Sequence, residues 1–282
     1  MYYTTLIDAE TLAGHLNSSW RVFDCRFALG DPSAGERAYA AGHIPGAHYL
    51  HLDRDLASAV TAASGRHPLP EPKTLAAKLA AVGVGAGTQV VAYDDAAGAF
   101  AARLWWLLRW LGHPQVAVLD GGWKLWLREA RPVSHEQPAS AAPGDFRARP
   151  DDRMWLSSER VRQRAGAGIG RLLDARAAER FRGEQEPIDA VAGHVPGAVN
   201  LPYLGNISGD GRFKSAEALR TRFMAALDGA APAETVCMCG SGVTACHNLL
   251  AMEVVGLSGG RLYAGSWSEW IRDPSRPVAR GA

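Results

Sequence analysis

The sequence predicts an α/β protein made of two tandem copies of one domain, each a mainly parallel sheet flanked by helices. Two observations lead there. Short aliphatic runs (21–23, 89–93, 116–119) alternate with longer amphipathic stretches (73–82, 99–111), the pattern of strand–helix units around a parallel sheet. In addition, three segments of the first half return in the second, in the same order and at a nearly constant offset.

Val22-Phe23-Asp24-Cys25-Arg26 returns as Leu172-Leu173-Asp174-Ala175-Arg176. Ala41-Gly42-His43-Ile44-Pro45-Gly46-Ala47 returns as Ala192-Gly193-His194-Val195-Pro196-Gly197-Ala198. Val118 to Trp126, with Trp123, returns as Leu262 to Trp270, with Trp267. Between the copies, 134–153 carries Pro138, Pro143 and Pro150 among small residues and reads as a linker. The domains are therefore expected at 1–133 and 154–282. His43 and His194 sit in loops that lead into a further strand and read as residues tying those loops down. Arg176 follows Asp174 as Arg26 follows Asp24, and its presence in both copies favours a structural role. Trp105, Trp106 and Trp110 fall on the amphipathic stretch 99–111 and read as helix core.

Composition narrows the partners. At 282 residues, with 47% hydrophobic and 21% charged residues, the chain can bury the cores of two ordinary domains. A net charge of +1 offers no footprint for nucleic acid or an anionic membrane. The apolar stretch 104–111 is short and contains Arg109, so it does not span a bilayer. Met1 to Asp8 lacks the basic residues and apolar core of a secretion signal. Four cysteines are too few for a disulfide framework and point to a reducing compartment, the cytoplasm.

The chemistry concentrates at Cys239-Gly240-Ser241-Gly242-Val243-Thr244. An apolar run, Thr235 to Met238, precedes it and a helix-like run, Ala245 to Leu250, follows. A thiol that opens a glycine-containing loop between strand and helix faces converging backbone N–H groups and the positive end of a helix, which favour thiolate, the nucleophilic form. Cys237 and Cys246 read as core residues of the flanking strand and helix. Cys-x-Cys followed by Cys246-His247 lacks ordinary zinc spacing, so no metal site is expected. Sliding 90–93 onto 235–238 places Asp94 opposite Cys239; a carboxylate cannot carry sulfur, which makes the first copy catalytically silent and leaves it to shape the cleft.

These residues resemble the tandem-domain rhodanese family of thiosulfate and 3-mercaptopyruvate sulfurtransferases, through Asp-x-Arg, Gly-His-Ile-Pro-Gly-Ala, the Arg103-Leu104-Trp105-Trp106 segment, the Cys239 loop and Gly265 to Trp270. The resemblance spans essentially the whole chain. It implies that Cys239 takes a sulfane sulfur from a small anionic donor as a persulfide and passes it to cyanide, a thiol or a thioredoxin-like protein, without metal or organic cofactor. The loop is similar to the mercaptopyruvate branch; the thiosulfate branch typically places Arg-Lys after the cysteine. Gly240, Gly242, Val243 and Thr244 are then the donor-binding loop. Ser241 either donates to a substrate carbonyl or helps relay a proton to Cys239, or is a small residue suited to the loop. Arg180 matches one of two donor-binding arginines of that branch, with a surface ion pair as its alternative reading; where the second is expected the chain has Ile188. The segment containing Arg66 and His67 is placed at the cleft entrance, and His67 and Asp53 match positions implicated in mercaptopyruvate handling.

Other functions are less consistent with the residues. A thiol-dependent phosphatase or arsenate reductase needs Cys-x5-Arg, and the sixth residue after Cys239 is Ala245. A thiosulfate-preferring enzyme and a sulfur-relay module without turnover remain as alternatives.

Overall fold

In the computed structural model, which describes residues 2–281, the aliphatic runs form the central strands of two separate five-stranded sheets. The first unit comprises the described residues up to Ser58, Pro70–Asp151 and Ser208–Phe213; the second comprises Ala59–Leu69, Asp152–Ile207 and the described residues from Lys214 on.

The first unit runs β1 (Leu6–Ile7), α1 (Ala9–Ala13), β2 (Arg21–Asp24), α2 (Ala34–Ala40), β3 (His48–Tyr49), α3 (Pro72–Ala81), β4 (Val90–Tyr93), α4 (Ala101–Trp110), β5 (Val116–Leu119) and α5 (Gly122–Arg128). Its strands pair in parallel in the order β1-β5-β4-β2-β3. β4 and β5 are buried at every position, which is why they read as unbroken aliphatic runs rather than alternating ones. Helix α3 begins where Pro72 suits a first turn and the Glu71 carboxylate accepts from the Lys73 and Thr74 amides. Trp105, Trp106 and Trp110 are buried on α4, as core residues.

The second unit repeats the plan: β6 (Trp155–Leu156), α6 (Ser158–Gly166), β7 (Arg171–Asp174), α7 (Ala178–Arg182), β8 (Ala198–Asn200), α8 (Ala216–Leu227), β9 (Thr235–Met238), α9 (Thr244–Val254), β10 (Arg261–Tyr263) and α10 (Ser266–Trp270). Its parallel order is β6-β10-β9-β7-β8. Asp24 pairs with Tyr93 in one sheet and Asp174 with Met238 in the other, so Asp94 and Cys239 each follow the last residue of equivalent strands.

Each unit carries the same buried ion pair. Arg26 binds Asp24 and the Gly42 carbonyl and lies 4.7 Å over Trp123; Arg176 binds Asp174 and the Gly193 carbonyl and lies 4.8 Å over Trp267. Each pair therefore locks the end of a strand to the following Gly-His loop. His43 and His194 hold those loops through Nδ1 contacts to the Tyr39 and Phe181 carbonyls, 2.9 and 2.8 Å.

Two segments depart from the boundaries expected above. Residues 134–151 are laid down on the first unit: the Gly144 amide donates to Ala80, Arg149 to Leu111 and Asp151 to Trp110, and Phe146 is buried. Their prolines and small residues suit a close-fitting extended strap as well as a spacer, and composition alone does not separate the two. Residues 59–69, counted with the first domain by sequence order, pack with the second unit.

Candidate active site

β9 delivers Cys239 to the carboxyl end of the second sheet, where ligands of open parallel sheets bind, and α9 starts five residues later at Thr244. Cys239 is buried, with 2% of its surface exposed. The loop is pinned from outside by the start of α10. The Cys239 amide donates to Ser266 Oγ (3.1 Å), the Trp267 amide to the Cys239 carbonyl (3.0 Å) and the Ser268 amide to the Gly240 carbonyl (2.9 Å). Among the described residues, nothing accepts from the amides of Gly240, Ser241, Val243 or Thr244. Gly242 adopts φ +75°, and a Cβ there would come within 2.3 Å of the Ala264 carbonyl oxygen; only glycine allows this turn.

The equivalent loop of the first unit shows what such amides do. The Asp94 carboxylate is fully buried and accepts four backbone N–H bonds, from Ala96, Gly98, Phe100 and Ala101, each 2.8 Å. Burial pushes the Asp94 pKa up while those four bonds pull against it. The loop after the central strand is thus an anion cradle; in one unit a carboxylate fills it, in the other a thiol opens it.

Two guanidinium groups stand over Gly240. A Cβ on that residue would lie 2.9 Å from Arg66 Nη2 and 3.6 Å from Arg180 Nη1. Arg180, on α7, donates through Nε and Nη2 to Glu186 (3.1 and 2.7 Å) and through Nη2 to Asp189 (3.0 Å). Arg66 binds the other oxygen of Asp189 through Nη1, and its amide donates to Ser268 Oγ at 3.0 Å. Burial acts to raise the Glu186 pKa, but the Arg180 bonds and the Asp189 and Ile188 amides outweigh it and hold the carboxyl below its ordinary 4.5. Ser241 and His67, both buried, share a hydrogen bond of 2.7 Å between Oγ and Nδ1.

The second unit thus assembles Cys239, Gly240, Ser241, Gly242, Val243, Thr244, Arg180 and His67 around one loop. Asp53 lies in the first unit, exposed, its amide donating to His51 Nδ1 at 3.1 Å. Ile188 is 43% exposed and brings no charge to the loop. Cys246 Sγ donates to the Gly242 carbonyl (3.3 Å), and burial pushes the Cys237 thiol up, so both keep the character of inert core residues. Among the described residues, no group of three or more His, Cys, Asp or Glu side chains is placed to hold a metal ion.

A family model for the rhodanese-like domain matches residues 8–129 and again 157–273. The chain belongs to the rhodanese-like family. It is 51% identical over 279 residues to a protein of Pseudomonas aeruginosa named "Probable 3-mercaptopyruvate sulfurtransferase", covering 98% of each chain. It is 34% identical over 294 residues to the thiosulfate sulfurtransferase of Bos taurus, covering 99% of this chain and 96% of that one. Among solved structures, 3-mercaptopyruvate sulfurtransferase from Leishmania major superposes with a TM-score of 0.83 at 31% identity, covering 95% of this chain and 74% of that one.

Sequence reasoning placed the rhodanese-like loop and Arg180 but missed the groups that arrange them: Glu186, Asp189, Ser266 and Ser268. A signal existed for the first two, since Glu186-Pro187-Ile188-Asp189 sets two carboxylates three apart, just beyond Arg180. For Ser266 and Ser268 the repeat and the resemblance marked the segment Gly265 to Trp270 but not their role, which depends on α10 lying against the loop.

Proposed function

We propose that this chain is a sulfurtransferase in which Cys239 carries the transferred sulfur and the first unit is catalytically silent. The observation that carries the reading is the Cys239 loop: a buried thiol at the end of the central strand, loop amides without acceptors, a helix N-terminus behind them and two guanidiniums beside Gly240. Such a setting stabilises negative charge on sulfur before and after transfer.

With 3-mercaptopyruvate, the Cys239 thiolate attacks the donor sulfur. The sulfur–carbon bond breaks with its electron pair staying on carbon, and the donor's thiol proton ends on that carbon, giving pyruvate and a Cys239 persulfide anion. The hydrogen-bonded Ser241–His67 pair is placed to pass that proton. With thiosulfate, the same attack expels sulfite and no proton moves to carbon. A nucleophilic acceptor (cyanide, a small thiol or a thioredoxin-like protein) then takes the outer sulfur and restores the thiolate, a ping-pong cycle without a cofactor. His67 and Ser241 favour mercaptopyruvate as the preferred donor. One observation favours thiosulfate as a second donor: two arginines, not one, reach the loop. All four cysteines are free, in keeping with a cytoplasmic setting, and no helix among the described residues is long and apolar enough to cross a membrane.

Steady-state turnover with both donors on one preparation tests the reading. The expected result is turnover with both and a higher kcat/KM for mercaptopyruvate; a thiosulfate preference would reverse the donor order, and turnover with neither would sink the enzyme.

A further inference from the structure

We propose that the first unit carries a ligand site of its own, a cavity at the β3 edge of its sheet that takes a free α-amino acid with an aromatic side chain. The inference does not depend on the sulfur-transfer reading above. The cavity is bounded by α2, β3 and α3, and every residue that lines it belongs to the first unit. Its volume of about 760 Å³ is that of a small-molecule pocket.

Part of the lining is a set of uncharged rings. The Tyr39 and Tyr49 rings lie 5.6 Å apart at 35°, and those of Phe23 and His48 lie 5.9 Å apart at 37°. The Tyr39 hydroxyl donates to the Ala47 carbonyl (2.7 Å) and the Tyr49 hydroxyl to the Arg26 carbonyl (3.1 Å), so both rings are held in place with their donors spent. Burial pushes Tyr39 up to about 12 and Tyr49 higher still, while burial and Arg21 push His48 down, so all three stay neutral near pH 7. Such a wall suits an aromatic group. The rest of the lining carries charge in balance. Arg54 Nη2 donates to Glu36 Oε2 at 2.9 Å, and Lys78 pairs with Asp55. Asp55 spends its other oxygen on the His51 amide. Arg54 Nε and Nη1 and Glu36 Oε1 have no partner among the described residues. Spare cationic donors next to a spare carboxylate oxygen match a carboxylate and an ammonium borne on one carbon. Two positive and two negative side chains give no net field for a phosphate, which separates this cavity from a nucleotide site.

Calorimetry and ligand-observed NMR on the full chain provide the test, with L-phenylalanine as the probe. It should bind one equivalent with a Kd of about a millimolar or below. N-acetyl-L-phenylalanine lacks the ammonium and L-phenylalanine amide lacks the carboxylate, and each should bind about tenfold more weakly. Arg54→Met should abolish the discrimination against the amide, and Glu36→Gln the discrimination against the N-acetyl compound. Ala40 is exposed on α2 and lines the cavity, so Ala40→Trp adds bulk there without entering the core. That variant should lose binding while still melting cooperatively; if it does not fold, the Arg54 and Glu36 variants decide. No binding of phenylalanine, equal binding of the three compounds, or binding that survives Ala40→Trp would overturn the proposal. AMP binding more tightly than phenylalanine, in a manner that needs Arg54, would overturn it too and assign the cavity to phosphate ligands.

Discussion

Oγ of Ser241 lies 2.7 Å from Nδ1 of His67, and both side chains are buried. Ser241 stands two residues after Cys239, which puts a hydroxyl–imidazole pair at the same loop as the thiol, and the proposed cycle gives that pair the proton transfer. The two donors differ in what they ask of it: pyruvate must be protonated on carbon as it leaves, whereas sulfite leaves without that step.

His67→Ala should therefore lower kcat for 3-mercaptopyruvate by about a hundredfold or more, while thiosulfate turnover falls far less. Ser241→Ala should show the same split. The two kcat values, measured with each donor across pH, check it; equal losses with both donors would remove the proton-transfer role.

Cys239 should be the sole carrier of the persulfide. Intact mass after incubation with donor and no acceptor should rise by one sulfur atom, mapping to Cys239. Cys239→Ser should show neither adduct nor turnover, and an adduct on buried Cys237 or Cys246 would reassign the carrier.

Asp94→Asn should destabilise the first unit without touching the chemistry. Both carboxylate oxygens accept, two amides each, so an amide NH2 would face two N–H donors in place of one oxygen. The expected loss is about 1–3 kcal/mol, read from denaturant midpoints, with kcat for both donors unchanged at a temperature where the variant is folded.

Glu186 should contribute to acid sensitivity. Its pKa is held below 4.5 in the folded protein, so the stability it confers is present above that value and is lost as pH falls through the lower, folded-state pKa. Glu186→Gln should be less stable than wild type near neutrality, and the gap should close as the pH drops below about 4. Denaturation series at several pH values check it, and a gap that widens on acidification would contradict the assignment.

The parts readable from sequence were those in which neighbouring residues act together. The repeated Asp-x-Arg and Gly-His-x-Pro-Gly-Ala segments announced two copies of one sheet, because a strand end and the loop that covers it are local. The same holds for the Cys239 loop: a strand, two glycines and a helix start lie within a few residues, and the structure has β9, the Gly242 turn and α9 there. Asp94 could be set opposite Cys239 for the same reason, and the strand registers agree with that alignment.

What the tertiary structure decided is how distant segments meet around that loop. His67 reaches Ser241 across 174 residues of chain and Arg66 reaches Asp189 across 123. No periodicity or motif encodes such a meeting; it exists because 59–69 leaves the order of its own half and packs with the second unit. The chain by itself determined the fold, its duplication and the place of the Cys239 loop between strand and helix, all products of local pattern. The resemblance named Arg180, Ser241 and His67, but only packing decided that His67 meets Ser241 and that Arg66 and Arg180 share Asp189, because a side chain's partners depend on where non-adjacent segments are brought together.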